Sequence, residues 1–135
     1  MAQKSSGITS LALRRTLLAV ALASGGVPAW PQVVDITWDG SGNFAANEAV
    51  AARKFVEVCG KLRKGQTVDW QFSSDQPLDF NIHYHEGEKV AYPEQREDKS
   101  EGAGSLVVAV AQDYCWMWTN RGMTGASLTL RLNLR

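Results

Sequence analysis

The stretch Pro77-Leu78-Asp79-Phe80-Asn81-Ile82-His83-Tyr84-His85-Glu86-Gly87-Glu88-Lys89-Val90-Ala91-Tyr92-Pro93 is the part of the chain whose reading decides the fold. Phe80, Ile82 and Tyr84 alternate with Asn81, His83 and His85. That is the period-2 signature of a strand with one apolar and one polar face. Glu86-Gly87-Glu88-Lys89 supplies a turn, and Val90-Ala91-Tyr92 restarts an extended run that Pro93 ends. The only two histidines lie here, two positions apart. A strand therefore sends both to the same side, and any chemistry in this chain is expected on that face.

Working outward, the same alternation recurs. Val68, Trp70 and Phe72 share one face of Thr67–Phe72, as do Leu106, Val108 and Val110 in Ser105–Ala111 and Leu128, Leu130 and Leu132 in Ser127–Asn133. Val33-Val34-Asp35-Ile36-Thr37-Trp38 reads as a first strand, and Tyr114-Cys115-Trp116-Met117-Trp118 as a late one. Asp39-Gly40-Ser41-Gly42-Asn43 and Asn120-Arg121-Gly122-Met123-Thr124-Gly125 read as turns. The alanine-rich residues 45–52 predict a loop or short helical turn, followed by a strand near residues 54–60. Ser73-Ser74-Asp75-Gln76-Pro77 predicts a loop, and residues 94–104, polar and glycine-containing, predict an exposed, mobile one. Seven to eight short strands with little helix point to an all-β protein, an antiparallel β-sandwich.

At 135 residues the chain has room for one core. A composition 44% hydrophobic and 21% charged excludes global disorder. Residues 1–29 read as a signal peptide, leaving residues 30–135 as the single domain. Lys4, Arg14 and Arg15 come first, Leu17-Leu18-Ala19-Val20-Ala21-Leu22-Ala23 is a short apolar region, and Val27-Pro28-Ala29 has the small residues a signal peptidase needs. Cleavage after Ala23 competes with cleavage after Ala29, and Arg14-Arg15 leaves a twin-arginine route beside ordinary Sec export. The apolar region is too short to span roughly 30 Å of hydrocarbon, so no membrane span is expected. Once Lys4, Arg14 and Arg15 are removed, 11 basic residues face 14 acidic ones, a net charge of −3. A mildly acidic domain without a basic cluster is a poor nucleic-acid binder. The mature protein is expected to be periplasmic or secreted.

Export changes the reading of Cys59 and Cys115, the only two cysteines, 56 positions apart. An oxidising compartment favours a disulfide over two free thiols. In the chain-entropy account a loop of that length is worth about 4 kcal/mol.

At Lys64-Gly65-Gln66-Thr67-Val68-Asp69-Trp70, Asp79-Phe80-Asn81-Ile82-His83-Tyr84-His85 and Tyr114-Cys115-Trp116-Met117-Trp118-Thr119-Asn120, the chain resembles a bacterial member of the Golgi-dynamics (GOLD) domain type. The shared elements are an apolar strand after a turn, an aromatic strand core, and a late cysteine-bearing strand before a Trp-x-Asn turn. The resemblance covers about residues 54–134. It implies a jelly-roll-like β-sandwich that binds proteins or lipids, with Cys59 paired to Cys115. The chain departs from the eukaryotic transport receptors of that type in lacking their coiled coil, transmembrane helix and cytoplasmic tail. The fold therefore carries over better than the cargo-receptor role.

For chemistry, His83-x-His85 offers two imidazoles to copper or zinc, with Glu86, Asp113, Met117 or Met123 to complete a ligand set. An exposed polar strand face accounts for the same histidines without a metal. Trp116 and Trp118 fall on the face opposite Cys115. They form a binding platform, with Tyr84 and Asn120 beside it, if the cysteine points inward, and core if the strand is central. Catalysis finds little support. No Gly-x-Ser-x-Gly elbow exists around Ser73 and Ser74, a Cys115 nucleophile beside His83 or His85 competes with the disulfide, and an Asp79–Glu86 acid–base pair is unspecific. The chain is therefore expected to be a non-enzymatic binding module for a protein or small ligand. A periplasmic copper- or zinc-binding protein is the alternative, and a disulfide-stapled structural domain comes third.

Overall fold

The alternation at Val68-Trp70-Phe72 and the alternation at Phe80-Ile82 belong to a single strand. In a computed structural model, which describes residues 32–135, seven strands form and no helix is present among the described residues. They are β1 (Gln32–Asp35), β2 (Asn43–Val50), β3 (Phe55–Leu62), β4 (Thr67–Glu86), β5 (Lys89–Val107), β6 (Gln112–Thr119) and β7 (Ala126–Leu134). Their order is β1-β3-β6-β4-β7-β2, with β5 on the other edge of β4. The chain is all-β, and its sheet is curled on itself.

The two layers share the β4–β5 hairpin. β4 pairs with β7 over Val68–Ser74 and with β6 over Asp79–Tyr84, while β5 follows it on the opposite side throughout. Between these halves the β4–β5 register shifts, from Ser73 to Leu78. Such a bulge bends a strand. In a straight strand Phe72 and Phe80 would stand about 27 Å apart. Their ring centroids are 4.9 Å apart, and Trp70 lies 4.8 Å from Phe80. Trp118 of β6 joins the cluster 5.6 Å from Phe72 and 5.2 Å from Phe80. These rings are the centre of the core.

The expected loop over residues 73–77 is therefore an irregular part of β4. Asp75 Oδ1 accepts from the Ser127 amide at 2.7 Å, and Gln76 Nε2 donates to the Gly125 carbonyl at 2.7 Å, so neighbouring backbone satisfies the excess residues. The loop or helical turn expected over residues 45–52 is for the most part strand β2, laddered antiparallel to β7 from Asn43↔Asn133 to Val50↔Ala126. Alanine's helix advantage is at most about 0.7 kcal/mol per residue over ordinary side chains, too little to compete with an edge of β7 left unpaired. The sheet is also not wholly antiparallel, since β1 runs parallel to β3.

The mobile loop expected over residues 94–104 lies within β5. Gly102 and Gly104 sit opposite Phe72 and Trp70 and leave room for the two rings. A Cβ on Gly104 would come within 2.6 Å of Trp70 Cζ2, and one on Gly102 within 2.6 Å of Phe72 Cε1. The Arg96 guanidinium covers the Trp70 ring from 4.9 Å, a cation–π contact that closes this side of the core. Gly104→Ala should therefore cost about 1–3 kcal/mol by overpacking. Gly40→Ala, where nothing lies within 4 Å, serves as the control. Equal urea midpoints for the two variants would show that β5 is not seated on Trp70.

The two cysteines lie directly opposite each other on β3 and β6 and form the disulfide. The signal segment expected at residues 1–29 lies outside the described residues. No helix among the described residues is long and apolar enough to cross a membrane.

Candidate functional site

Strands β3, β6 and β4 send Val56, Val58, Trp116, Trp118, Phe80 and Ile82 inward, all nearly or fully buried. Strand alternation then sends Glu57, Cys59, Cys115, Met117, Asn81 and His83 to the outer face. Cross-strand register sets them in two rows, Glu57–Met117–Asn81 and Cys59–Cys115–His83.

The cysteine thus faces out and the tryptophans face in, so the aromatic platform is not formed. Trp116 and Trp118 are 0% exposed. Tyr84 turns inward as well, its ring 4.8 Å from that of Tyr114. Asn120 is buried and clamps the β6–β7 turn. Its Nδ2 donates to the Val50 and Thr124 carbonyls at 2.9 and 2.8 Å, and its Oδ1 accepts from the Gly122 amide at 2.8 Å.

His83 is the unusual residue of the outer face, a histidine only 6% exposed. Tyr92 and His85 wall it in, with ring centroids 5.9 and 5.4 Å away. Its Nδ1 lies 2.8 Å from Asn81 Oδ1. A carbonyl oxygen only accepts, so Nδ1 carries the proton and Nε2 presents its lone pair. Nε2 faces Glu57 Oε1 at 3.8 Å, beyond hydrogen-bond reach. Burial pushes the His83 pKa below the ordinary imidazole value. The Glu57 carboxylate opposes that shift, and His85 adds to it. The imidazole is therefore neutral at pH 7, the form that binds metals.

One donor atom each from Glu57, His83 and Cys115 lie within 4.8 Å of one another. The ligand set expected from sequence, His83, His85, Glu86 and Met117, is only partly assembled. His85 shares the face but is exposed and outside that group. Met117 shares the face, flanked in register by Glu57 and Asn81. Glu86 follows His85 and so points to the other side, where its charge acts on the Tyr114 phenol. Glu57 escaped the sequence reading. Its signal was an acid between Val56 and Val58, two positions before Cys59, but nothing local joins β3 to His83.

A second feature lies on the outer face of the other layer. Gln71, Ser73, Glu101, Ala103, Thr129 and Arg131 line an open concavity of about 630 Å³. An adjoining one of about 470 Å³ shares Gln71 and Arg131 and adds Asn43, Ala45, Asp69 and Asn133. Asp69 is engaged by Arg135 at 2.8 Å, and that bond, then the one from Ser105, holds its carboxyl below the usual range. None of the ion pairs among the described residues involves Arg131. An exposed guanidinium thus lines both concavities, with Glu101 in the lining of one and Asp69, held by Arg135, in that of the other, and stays open to an approaching partner surface.

No family model and no curated protein matches the chain. Solved structures do. PliG of Aeromonas hydrophila, a periplasmic lysozyme inhibitor of g-type lysozyme, superposes with a TM-score of 0.64 at 10% identity, over 77% of this chain and 96% of that one. PliG of Salmonella Typhimurium gives 0.55 at 10% identity, over 78% and 100%. The pre-peptidase C-terminal domain of a Bacillus anthracis collagenase gives 0.54 at 8% identity, over 78% and 96%. The likeness is one of fold. The β-sandwich read from strand alternation is thus an architecture that solved proteins share along nearly their whole length.

Proposed function

We propose that this chain is an exported, non-enzymatic protein-binding domain whose partner is a wall-degrading enzyme of the g-type lysozyme kind. The single observation that carries the reading is the superposition on the Aeromonas inhibitor across 96% of its length. Three further features support it. The chain opens with the features of an export signal. Both cysteines are joined, as suits an oxidising compartment. The resemblance to GOLD domains leads to the same class, a β-sandwich that binds proteins.

The concave face around Arg131 is the docking surface in this reading. Arginine is among the residues enriched at binding hot spots, because a desolvated guanidinium makes several directed bonds. The mature chain should therefore inhibit a g-type lysozyme in a cell-wall clearing assay and leave a lysozyme of another type unaffected. Arg131→Glu should weaken binding at least about 30-fold, the equivalent of a 2 kcal/mol hot spot, without moving the urea midpoint, since the residue is exposed. Absence of both inhibition and binding rejects the partner. Equal affinity of Arg131→Glu rejects the face.

A further inference from the structure

We propose that Cys59, Cys115, His83 and Glu57 form a thiol-gated site for a divalent cation of the zinc type, closed while the disulfide stands and opened by its reduction. The site is built by register: β3 supplies Glu57 and Cys59, β6 supplies Cys115, and β4 supplies His83. The Glu57, His83 and Cys115 donor atoms already lie within 4.8 Å of one another. Zinc bonded at about 2.0–2.3 Å in a tetrahedron holds its donors about 3.3–3.8 Å apart. Movements of roughly 1 Å, within side-chain reach, close that gap.

A second observation points to a ligand. His83 is 6% exposed, and its Nε2, which makes no hydrogen bond with any described residue and keeps some access to solvent, faces Glu57 Oε1 at 3.8 Å. The Nδ1 contact with Asn81 fixes the tautomer that leaves Nε2 free, the arrangement that orients metal-binding histidines. Two thiolates, one imidazole and one carboxylate suit zinc better than magnesium or calcium.

While Cys59 and Cys115 are bonded to each other their sulfurs are not thiolates, so the site holds only His83 and Glu57. A dithiol reductant passes two electrons and two protons to the disulfide. Its own thiols close to a disulfide, and Cys59 and Cys115 become thiols. Metal binding then displaces both thiol protons to solvent.

The test uses the mature chain, oxidised or reduced with a phosphine, titrated with cobalt(II) and then zinc. Reduced protein should bind one cobalt per chain with a thiolate-to-cobalt charge-transfer band and tetrahedral d–d bands, and zinc should displace it. The oxidised protein should bind at least about 100-fold more weakly, without the charge-transfer band. His83→Ala and Glu57→Ala should each weaken the reduced site about tenfold or more, and His85→Ala should leave it unchanged. Zinc should raise the Tm of the reduced protein and not of the oxidised one. Equal affinity of the two redox states overturns the proposal. So does reduced His83→Ala or Glu57→Ala protein binding as tightly as the wild type, the behaviour of two thiols in an unfolded chain.

Discussion

Breaking the Cys59–Cys115 bond should lower the unfolding free energy of the mature domain by about 4 kcal/mol. The bond joins residues 56 positions apart, so its loss returns a long loop's freedom to the unfolded chain. Small domains hold only about 5–15 kcal/mol in total, so the reduced protein should unfold at a much lower urea concentration. The measurement is urea unfolding of oxidised protein, reduced protein and the Cys59→Ala/Cys115→Ala double variant, all with a chelator present. The chelator separates the chain-entropy effect from any metal held by the freed thiols. The slope of the transition should also rise, because an uncrosslinked chain exposes more surface on unfolding. Equal midpoints for oxidised and reduced protein would show that β3 and β6 are held without the crosslink.

Trp118→Ala should cost about 3–5 kcal/mol, as large-to-small changes of buried aromatics do. Trp118 is 0% exposed and lies against both Phe72 and Phe80, one on each side of the bend in β4. Its loss therefore opens a cavity where the two layers meet, and neither half can collapse into it without straightening the strand. Trp118→Phe, which keeps an aromatic ring, should cost less. His85→Ala, on the exposed outer face, should stay within about 0.5 kcal/mol. A Trp118→Ala urea midpoint close to that of His85→Ala would mean that the layers are not joined through this ring.

The strand alternation at Phe80-Asn81-Ile82-His83, and again at Val68-Trp70-Phe72 and Leu128-Leu130-Leu132, was legible in the sequence because side chains alternate with a local period of two. With the export-like start and the two cysteines, it was enough for an all-β domain with a disulfide. Residues 45–52 and 94–104 were misread for the opposite reason. Their local composition is that of a helix former and a loop, and what makes them strands is β7 waiting for a partner and the Trp70 and Phe72 rings lying over Gly104 and Gly102.

Alternation separates two faces without saying which one is covered. That Trp116 and Trp118 are core and Cys115 faces out was decided only when β4 bent and brought Phe72 and Phe80 together over β6. The site was hidden in the same way. His83 was visible from the His-x-His spacing, but Glu57 lies 26 positions earlier on a strand that β6 separates from β4. Only the register of β3, β6 and β4 brings its carboxylate beside that imidazole, because pairing between distant segments leaves no trace in either segment's own pattern.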